Sequence, residues 1–179
     1  MTQKYKYFTK ENLPSLEEVL DNRENRINFI KDLQNNYDSK SIVCFKLNIP
    51  GEQKINDSIS KIFEIGLGEI DDILNNEIIY RVIKKDKTGP ECFLVTNNEY
   101  LEVKKNMVDL EENSYFGRLY DIDVIYHGEN ITREMIGIEQ RKCFLCDNDA
   151  KVCARSRKHS LDEMITWIEN LIDSYEIGL

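Results

Sequence analysis

The chain has 179 residues, a length typical of one domain, and we expect residues 1–179 to fold as a single domain. Its hydrophobic content of 41% is ordinary for a globular protein, and its net charge of −9 disfavours general nucleic-acid binding. No apolar run is long enough to span a membrane, and the polar N-terminal residues do not resemble a secretion signal. The five cysteines are therefore expected to be reduced thiols in a cytoplasmic protein.

Two helices and a strand are predicted in the first part of the chain. Ser15 followed by Glu18 is a capping box, and apolar residues recur at helical spacing after it, which predicts a helix over 15–36. A β-branched and aromatic run predicts a buried strand over 41–48. One face of a second helix is formed by Ile59, Ile62, Phe63, Gly66, Leu67, Ile70, Ile73 and Leu74.

The next elements alternate between strand and helix. Strands are predicted over 77–84 and 91–96, separated by a hairpin-type turn at 88–90, and a third helix over 101–111. A second capping box, Ser160 with Glu163, begins an amphipathic C-terminal helix. This order favours an α+β fold with a mixed or mostly antiparallel sheet and packed helices.

The strand predicted around 117–126 carries two carboxylates on an otherwise apolar segment. Because side chains alternate along a strand, Asp121 and Asp123 are expected to share one face with Leu119 and Ile125. Two neighbouring carboxylates repel each other and are costly to desolvate, and a bound Mg²⁺ ion would remove both problems. The alternative is an edge strand with one solvated face.

The segment 141–159 is basic within an acidic protein and is a candidate anion site. Arginine side chains can bind phosphate oxygens with two parallel hydrogen bonds. The alternative is a solvated basic face beside a helix. The basic residues are Arg141, Lys142, Lys151, Arg155, Arg157 and Lys158, against two aspartates.

The same segment contains Cys143, Cys146, Cys153 and His159, which are zinc ligand types. The spacing of the first two cysteines is typical of a zinc knuckle, whereas the later spacings fit no common zinc finger. A structural zinc site is therefore one hypothesis, and small buried thiols are the other. His159 either contacts a substrate phosphate or flanks the start of the last helix.

Four segments, 48–51, 88–91, 117–124 and 141–160, together resemble the citrate lyase holo-acyl-carrier-protein synthase family, whose members are phosphoribosyl-dephospho-CoA transferases. The resemblance runs from the first helix to the last. It implies a donor, 2′-(5″-triphosphoribosyl)-3′-dephospho-CoA, and an acceptor serine on the acyl-carrier (gamma) subunit of citrate lyase. Pyrophosphate would leave, in a nucleotidyltransferase-like active site.

This resemblance also suggests roles for individual residues. Asp121 and Asp123 match the acidic pair that such enzymes use to bind Mg²⁺, and Arg118 beside them is expected to be catalytic. A third carboxylate ligand is expected from Glu111 or Glu112. The residues expected to bind substrate phosphates are Arg141, Arg155, Arg157, Lys54 and His159.

Two alternatives concern the basic segment 141–159. It is also suited to receive the acceptor, since carrier proteins are typically acidic. A different class of function is a non-catalytic, zinc-stabilised module that docks an acidic protein through residues 141–158.

Overall fold

The computed structural model describes residues 4–177, which form an α+β fold. The helices in this range are α1 (Leu16–Asn36), α2 (Asp57–Leu74), α3 (Tyr100–Asn113), α4 (Ala150–Ser156) and α5 (Leu161–Ile177). The strands are β1 (Ser41–Leu47), β2 (Ile78–Asp86), β3 (Gly89–Thr96), β4 (Tyr120–Tyr126) and β5 (Glu129–Asn130).

The strands form one antiparallel sheet in the order β2-β3-β1-β4-β5. This arrangement confirms the α+β prediction and shows that the sheet is antiparallel throughout the described residues. The central strand β1 pairs with β3 on one side and with β4 on the other, so Lys46 lies directly opposite both Glu91 and Asp121. No helix within 4–177 combines the length and the apolar character needed to cross a membrane.

The two faces of the sheet are covered by different helices. Helices α2, α3 and α5 pack on one face and form the larger core with Phe45, Leu94 and Tyr120. Helix α1 packs on the other, which we call the α1 face, through Leu33 and its half-buried neighbours. The buried apolar side chains that the strands present to the α1 face are Ile42, Cys44, Phe93, Val95 and Ile125.

Both predicted capping boxes are present. The Ser15 hydroxyl accepts a hydrogen bond from the Glu18 amide, and the Glu18 carboxylate accepts one from the Ser15 amide. Ser160 and Glu163 form the same reciprocal pair before α5. These local hydrogen bonds satisfy amides that the first helical turn leaves without a partner, so the sequence signal is sufficient to locate both helix starts.

Two local predictions are wrong, and one short helix was not predicted. Residues 117–119 form a 3₁₀ turn, so β4 begins at Tyr120, and Leu119 lies in the larger core instead of sharing a face with the acidic pair. The hairpin turn lies at Lys87–Thr88, since Gly89 and Pro90 already belong to β3. Helix α4 was not predicted, because its seven residues are too few to show a hydrophobic period.

The outer edge of β4 is covered mainly by side chains. Beyond its two-residue pairing with β5, this edge has no neighbouring strand in the described structure. The Ile122 amide donates to Glu111 Oε1 at 3.1 Å, and the Ile122 carbonyl accepts from Lys104 Nζ at 3.4 Å. Arg141 donates to the Tyr120 carbonyl at 2.6 Å. These contacts satisfy main-chain groups that would otherwise be buried without partners.

Gly117 is required by a close approach of main chain just before β4. A Cβ atom there would lie 2.3 Å from the Leu110 carbonyl oxygen and 2.8 Å from that of Glu111. We therefore expect Gly117→Ala to destabilise the protein by about 1–3 kcal/mol in urea unfolding, as overpacking generally does.

The matched control is Gly68→Ala, because a Cβ at Gly68 in α2 meets nothing within 4 Å. It should stabilise the protein by up to about 1 kcal/mol, since alanine is the better helix former. Equal unfolding free energies for Gly117→Ala and the wild type would show that the turn tolerates a side chain.

Candidate active site and metal-ligand cluster

Asp121 and Asp123 project from β4 onto the α1 face, where they share one ammonium group. Lys46 Nζ on β1 lies 2.9 Å from Asp121 Oδ2 and 2.8 Å from Asp123 Oδ2. Asn130 on β5 also donates to Asp123 Oδ1 at 3.0 Å. The predicted pair therefore does share a face, and its partner is a lysine from the neighbouring strand that the sequence analysis did not identify.

The surroundings hold both Lys46 and Asp123 in their charged forms. Burial by itself would lower the pKa of Lys46, but Asp121 and Asp123 outweigh it and hold that pKa above its usual value. Burial would likewise raise the pKa of Asp123, but Lys46 and then Asn130 hold it below its usual value. Both carboxylates are accessible, since the side chain of Asp121 is 40% exposed and that of Asp123 is 36% exposed.

The two aspartates fit the requirements of a magnesium site. Their oxygens already converge on one cation, the Lys46 ammonium, and a hard divalent ion would bind the same atoms in place of that ammonium. The carboxylates suggested as a third ligand are engaged elsewhere. Glu111 is buried and paired with Arg133 at 2.6 Å, and Glu112 pairs with the same guanidinium.

A concave surface with a volume of about 160 Å³ adjoins Asp121, and we call it the basic recess. It is bounded by α1, the end of β1, the following loop and the β2–β3 turn. Lys54 is the one predicted phosphate-binding residue that lines it, and its Nζ donates to the Ile49 carbonyl at 2.6 Å. The charged residues that line the recess are Arg23, Arg26, Lys46, Lys54, Glu91 and Asp121.

Glu91 organises one wall of the recess. Its side chain is almost completely buried on β3 and accepts hydrogen bonds from Asn22 Nδ2 at 2.9 Å and Arg26 Nε at 2.9 Å. Arg26 Nη2 also contacts the same carboxylate oxygen. These contacts hold α1 against the sheet at the polar end of the α1 face, next to the recess.

Arg118 and Arg141 connect the acidic strand to the segment that follows it. Arg118 Nη2 donates to the carbonyls of Lys142 and Cys143 at 2.7 and 3.0 Å. In return, Arg141 donates to the carbonyls of Tyr120 and Arg118 at 2.6 and 2.5 Å. Both guanidinium groups therefore position main chain around the start of β4.

Cys143, Cys146, Cys153 and His159 form a compact cluster. One ligand atom from each of the four lies within 4.8 Å of all the others. Cys146 Sγ is 3.6 Å from Cys153 Sγ and 3.2 Å from His159 Nε2. The four predicted zinc-ligand residues, separated by unequal spacings in the sequence, are thus brought together by the fold.

Local hydrogen bonds explain how the cluster forms. The Cys143 amide donates to the Asn148 carbonyl at 2.8 Å, which closes the turn carrying the first two cysteines. The Asp149 side chain then caps α4 by accepting from two amides at its start, and α4 carries Cys153. His159 follows α4, so the ligands come from a knuckle, a short helix and the link to α5.

The chemistry of this donor set fits a zinc ion. In a tetrahedral site, zinc–sulfur bonds of about 2.3 Å place sulfur atoms about 3.8 Å apart, close to the spacing of Cys146 and Cys153. The Asn148 main chain and then His159 lower the pKa of Cys146 to about 6, which favours the thiolate that binds metal. Burial and then Cys146 raise the pKa of Cys153 to about 11.

A larger, mainly apolar cavity of about 500 Å³ lies beside the cluster. It shares Asn48 with the basic recess, so the two hollows are adjacent. Arg157 lines this cavity, whereas Arg155 lies exposed on α4 and is not among its lining residues. The other lining residues include Pro50, Arg141, Phe144, His159, Leu161 and Met164.

Comparison with known proteins identifies one family. The model of the family described as apo-citrate lyase phosphoribosyl-dephospho-CoA transferase matches residues 14–175. This range contains the acidic pair, the basic recess and the cysteine cluster.

Individual relatives agree with this match. The chain is 34% identical over 174 residues to protein CitXG of Leuconostoc mesenteroides subsp. cremoris, covering 95% of this chain but only 37% of that longer protein. It is also 34% identical over 174 residues to the "probable apo-citrate lyase phosphoribosyl-dephospho-CoA transferase" of Streptococcus pyogenes serotype M3, covering 94% of this chain and 90% of that one. The Vibrio cholerae serotype O1 (strain M66-2) protein of the same name is 34% identical over 142 residues, covering 76% of this chain and 80% of the relative.

Proposed function

Because the chain belongs to the apo-citrate lyase phosphoribosyl-dephospho-CoA transferase family, we propose that it transfers the phosphoribosyl-dephospho-CoA group onto apo-citrate lyase. The donor is 2′-(5″-triphosphoribosyl)-3′-dephospho-CoA, and the acceptor is a serine hydroxyl of the acyl-carrier (gamma) subunit. The serine hydroxyl loses its proton as its oxygen forms a new bond to the phosphorus nearest the ribose, and the bond from that phosphorus to the terminal diphosphate breaks, so that pyrophosphate leaves with the bonding electron pair. The reaction is of the nucleotidyltransferase type.

The observation that carries this proposal is the pair of accessible aspartates beside the basic recess. Phosphoryl transfer needs charge neutralisation and positioning more than covalent chemistry. Asp121 and Asp123 are the residues that would hold Mg²⁺, which would neutralise phosphate charge and lower the pKa of the attacking hydroxyl. Lys46 holds the two carboxylates together on one side of the strand.

The direct test is to incubate the protein with the donor and the apo carrier in the presence of Mg²⁺, and to weigh the carrier by mass spectrometry. A mass increase equal to the phosphoribosyl-dephospho-CoA group, with release of one pyrophosphate per carrier, is expected. An unchanged carrier mass with intact donor and folded protein would contradict the proposed activity.

The cysteine cluster is assigned a structural role. A zinc ion held by Cys143, Cys146, Cys153 and His159 would fix the knuckle to α4, and Arg118 links the knuckle to the start of β4. Phe144 packs against Trp167 of α5, with ring centroids 4.9 Å apart. A zinc ion at this site would thereby support the strand that carries the acidic pair.

The non-catalytic docking module is not favoured, because the family match covers nearly the whole chain and includes the acidic pair. Docking nevertheless remains part of the proposed reaction, since the acceptor is itself a protein. The exposed basic side of α4 is the surface that we expect to face the acidic carrier.

Arg157 and Arg155 allow donor binding to be separated from carrier binding. Arg157 lines the apolar cavity, where we place the dephospho-CoA moiety, whereas Arg155 does not. Arg157→Lys keeps the charge but loses the two-pronged geometry, so donor affinity should fall about tenfold. Arg155→Lys is the matched comparison and should leave donor affinity within about twofold, since that side chain lies outside the cavity.

Donor and carrier affinities of both variants can be measured by calorimetry. Weakened carrier binding with intact donor binding in Arg157→Lys would reassign this arginine to protein docking. Equal donor affinity in Arg157→Lys and the wild type would remove it from the donor site.

A further inference from the structure

The geometry points to the basic recess as the site that binds the terminal diphosphate of the donor, the part that leaves as pyrophosphate. Arg23 and Lys54 are its principal ligands. This inference rests on the proposed function and deepens it, because it assigns the leaving group to residues that the sequence analysis, apart from Lys54, did not single out.

The first argument is the charge within the recess. Of its four basic side chains, Lys46 is paired with the acidic pair and Arg26 with Glu91. No ion pair joins Arg23 or Lys54 to a carboxylate within the described part of the chain. Two cations therefore face one hollow without a counterion, in a protein whose net charge is −9. An anion is the ligand that such an arrangement attracts.

The second argument is the setting of Lys54. Its side chain is half-buried, and one of its three donor hydrogens is used by the Ile49 carbonyl at 2.6 Å. Burial and then the nearby Arg23 lower the pKa of Lys54, so the two positive charges repel each other. A bound anion between them would relieve this repulsion and supply hydrogen-bond acceptors.

The third argument is size and position. A volume of about 160 Å³ has room for about five water molecules, which suits a small hydrated anion better than a nucleobase or pantetheine chain. Asp121 and Lys46 both line the recess, and they form a salt bridge with each other. A diphosphate in the recess therefore lies next to Asp121, one of the two carboxylates that would hold Mg²⁺, and the apolar cavity beyond Asn48 remains for the rest of the donor.

The test measures binding of inorganic pyrophosphate, with Mg²⁺ present, by calorimetry. Arg23→Gln and Lys54→Gln should each raise the Kd about 10- to 100-fold, the loss expected when a charge-assisted hydrogen bond is removed. Lys31→Gln is the matched control, because Lys31 is exposed on α1, the helix that also carries Arg23, and does not line the recess. Its Kd should stay within about twofold of the wild type.

Conservative variants and melting curves exclude a loss caused by misfolding. Arg23→Lys should recover part of the affinity, since it restores the charge. Wild-type-like binding in Arg23→Gln and Lys54→Gln, an equal loss in Lys31→Gln, or no pyrophosphate binding by the folded wild type would each overturn the assignment.

The carrier-modification assay separates this inference from the proposed function. If the wild type leaves the carrier unmodified, the proposed function fails, whatever the recess binds. If the wild type modifies the carrier and the two recess variants bind pyrophosphate normally, the function stands and the leaving-group assignment fails.

Discussion

Asp121→Asn and Asp123→Asn are each expected to reduce carrier modification by about 10²–10³-fold or more, the usual effect of removing transition-state charge stabilisation. Each substitution removes a negative charge from the proposed Mg²⁺ site with almost no change in volume. The fold should persist, because Lys46 keeps one carboxylate partner in either variant. The one remaining aspartate still balances the charge of the Lys46 ammonium, so neither variant leaves that largely buried charge unpaired, which would destabilise the fold.

Pyrophosphate release at saturating Mg²⁺, measured beside thermal melting, tests this expectation. Asp86→Asn is a suitable control, since Asp86 is exposed at the end of β2, which β3 and β1 separate from the strand that carries the acidic pair. It should turn over like the wild type. Near wild-type rates in both active-site variants, with normal melting, would show that the metal assignment is wrong.

Cys146→Ser and Cys153→Ser are expected to lose stoichiometric zinc and to lower the melting temperature and the activity together. Metal binding stabilises only the folded state, so losing one of four ligands removes part of that stabilisation. Zinc content can be measured by elemental mass spectrometry on protein purified without added chelator. Cys92→Ser is an informative control, because Cys92 is fully buried on β3 outside the cluster and should lose stability while retaining zinc.

Wild-type activity and melting temperature in Cys146→Ser and Cys153→Ser, with no zinc in the wild type, would contradict the structural role of the cluster.

A covalent adduct on a cysteine would instead give a thiol a direct part in the reaction. The Asn148 main chain and then His159 lower the pKa of Cys146, so this thiol is the one to examine for such a reaction. A donor-derived adduct on the wild type that disappears in Cys146→Ser would show that the reaction proceeds through a covalent intermediate.

The features that the sequence predicted well are those with local causes. The capping boxes at Ser15 and Ser160 determine where α1 and α5 begin through contacts three residues apart. The apolar period of α2 is also local, and seven of its eight predicted positions are buried. The shared face of Asp121 and Asp123 follows from the alternation of side chains along one strand.

The features that were missed depend on pairing between distant parts of the chain. Lys46 meets the acidic pair only because β1 and β4 are neighbours, and Arg26 meets Glu91 only because α1 covers that face. Arg118 and Arg141 carry charges that suit phosphate, and their contacts with main-chain carbonyls depend on how the knuckle folds back. Charge patterning along the sequence contains no information about these partners.

The side chains that cover the outer edge of β4 also affect how the protein behaves in solution. An open strand edge is a template for pairing with another molecule, which leads to aggregation. Here Glu111 and Lys104 occupy the main-chain groups of Ile122, and Arg141 occupies the carbonyl of Tyr120. The strand that carries the acidic pair can therefore remain accessible to substrate on its face while its edge is closed to intermolecular strand addition.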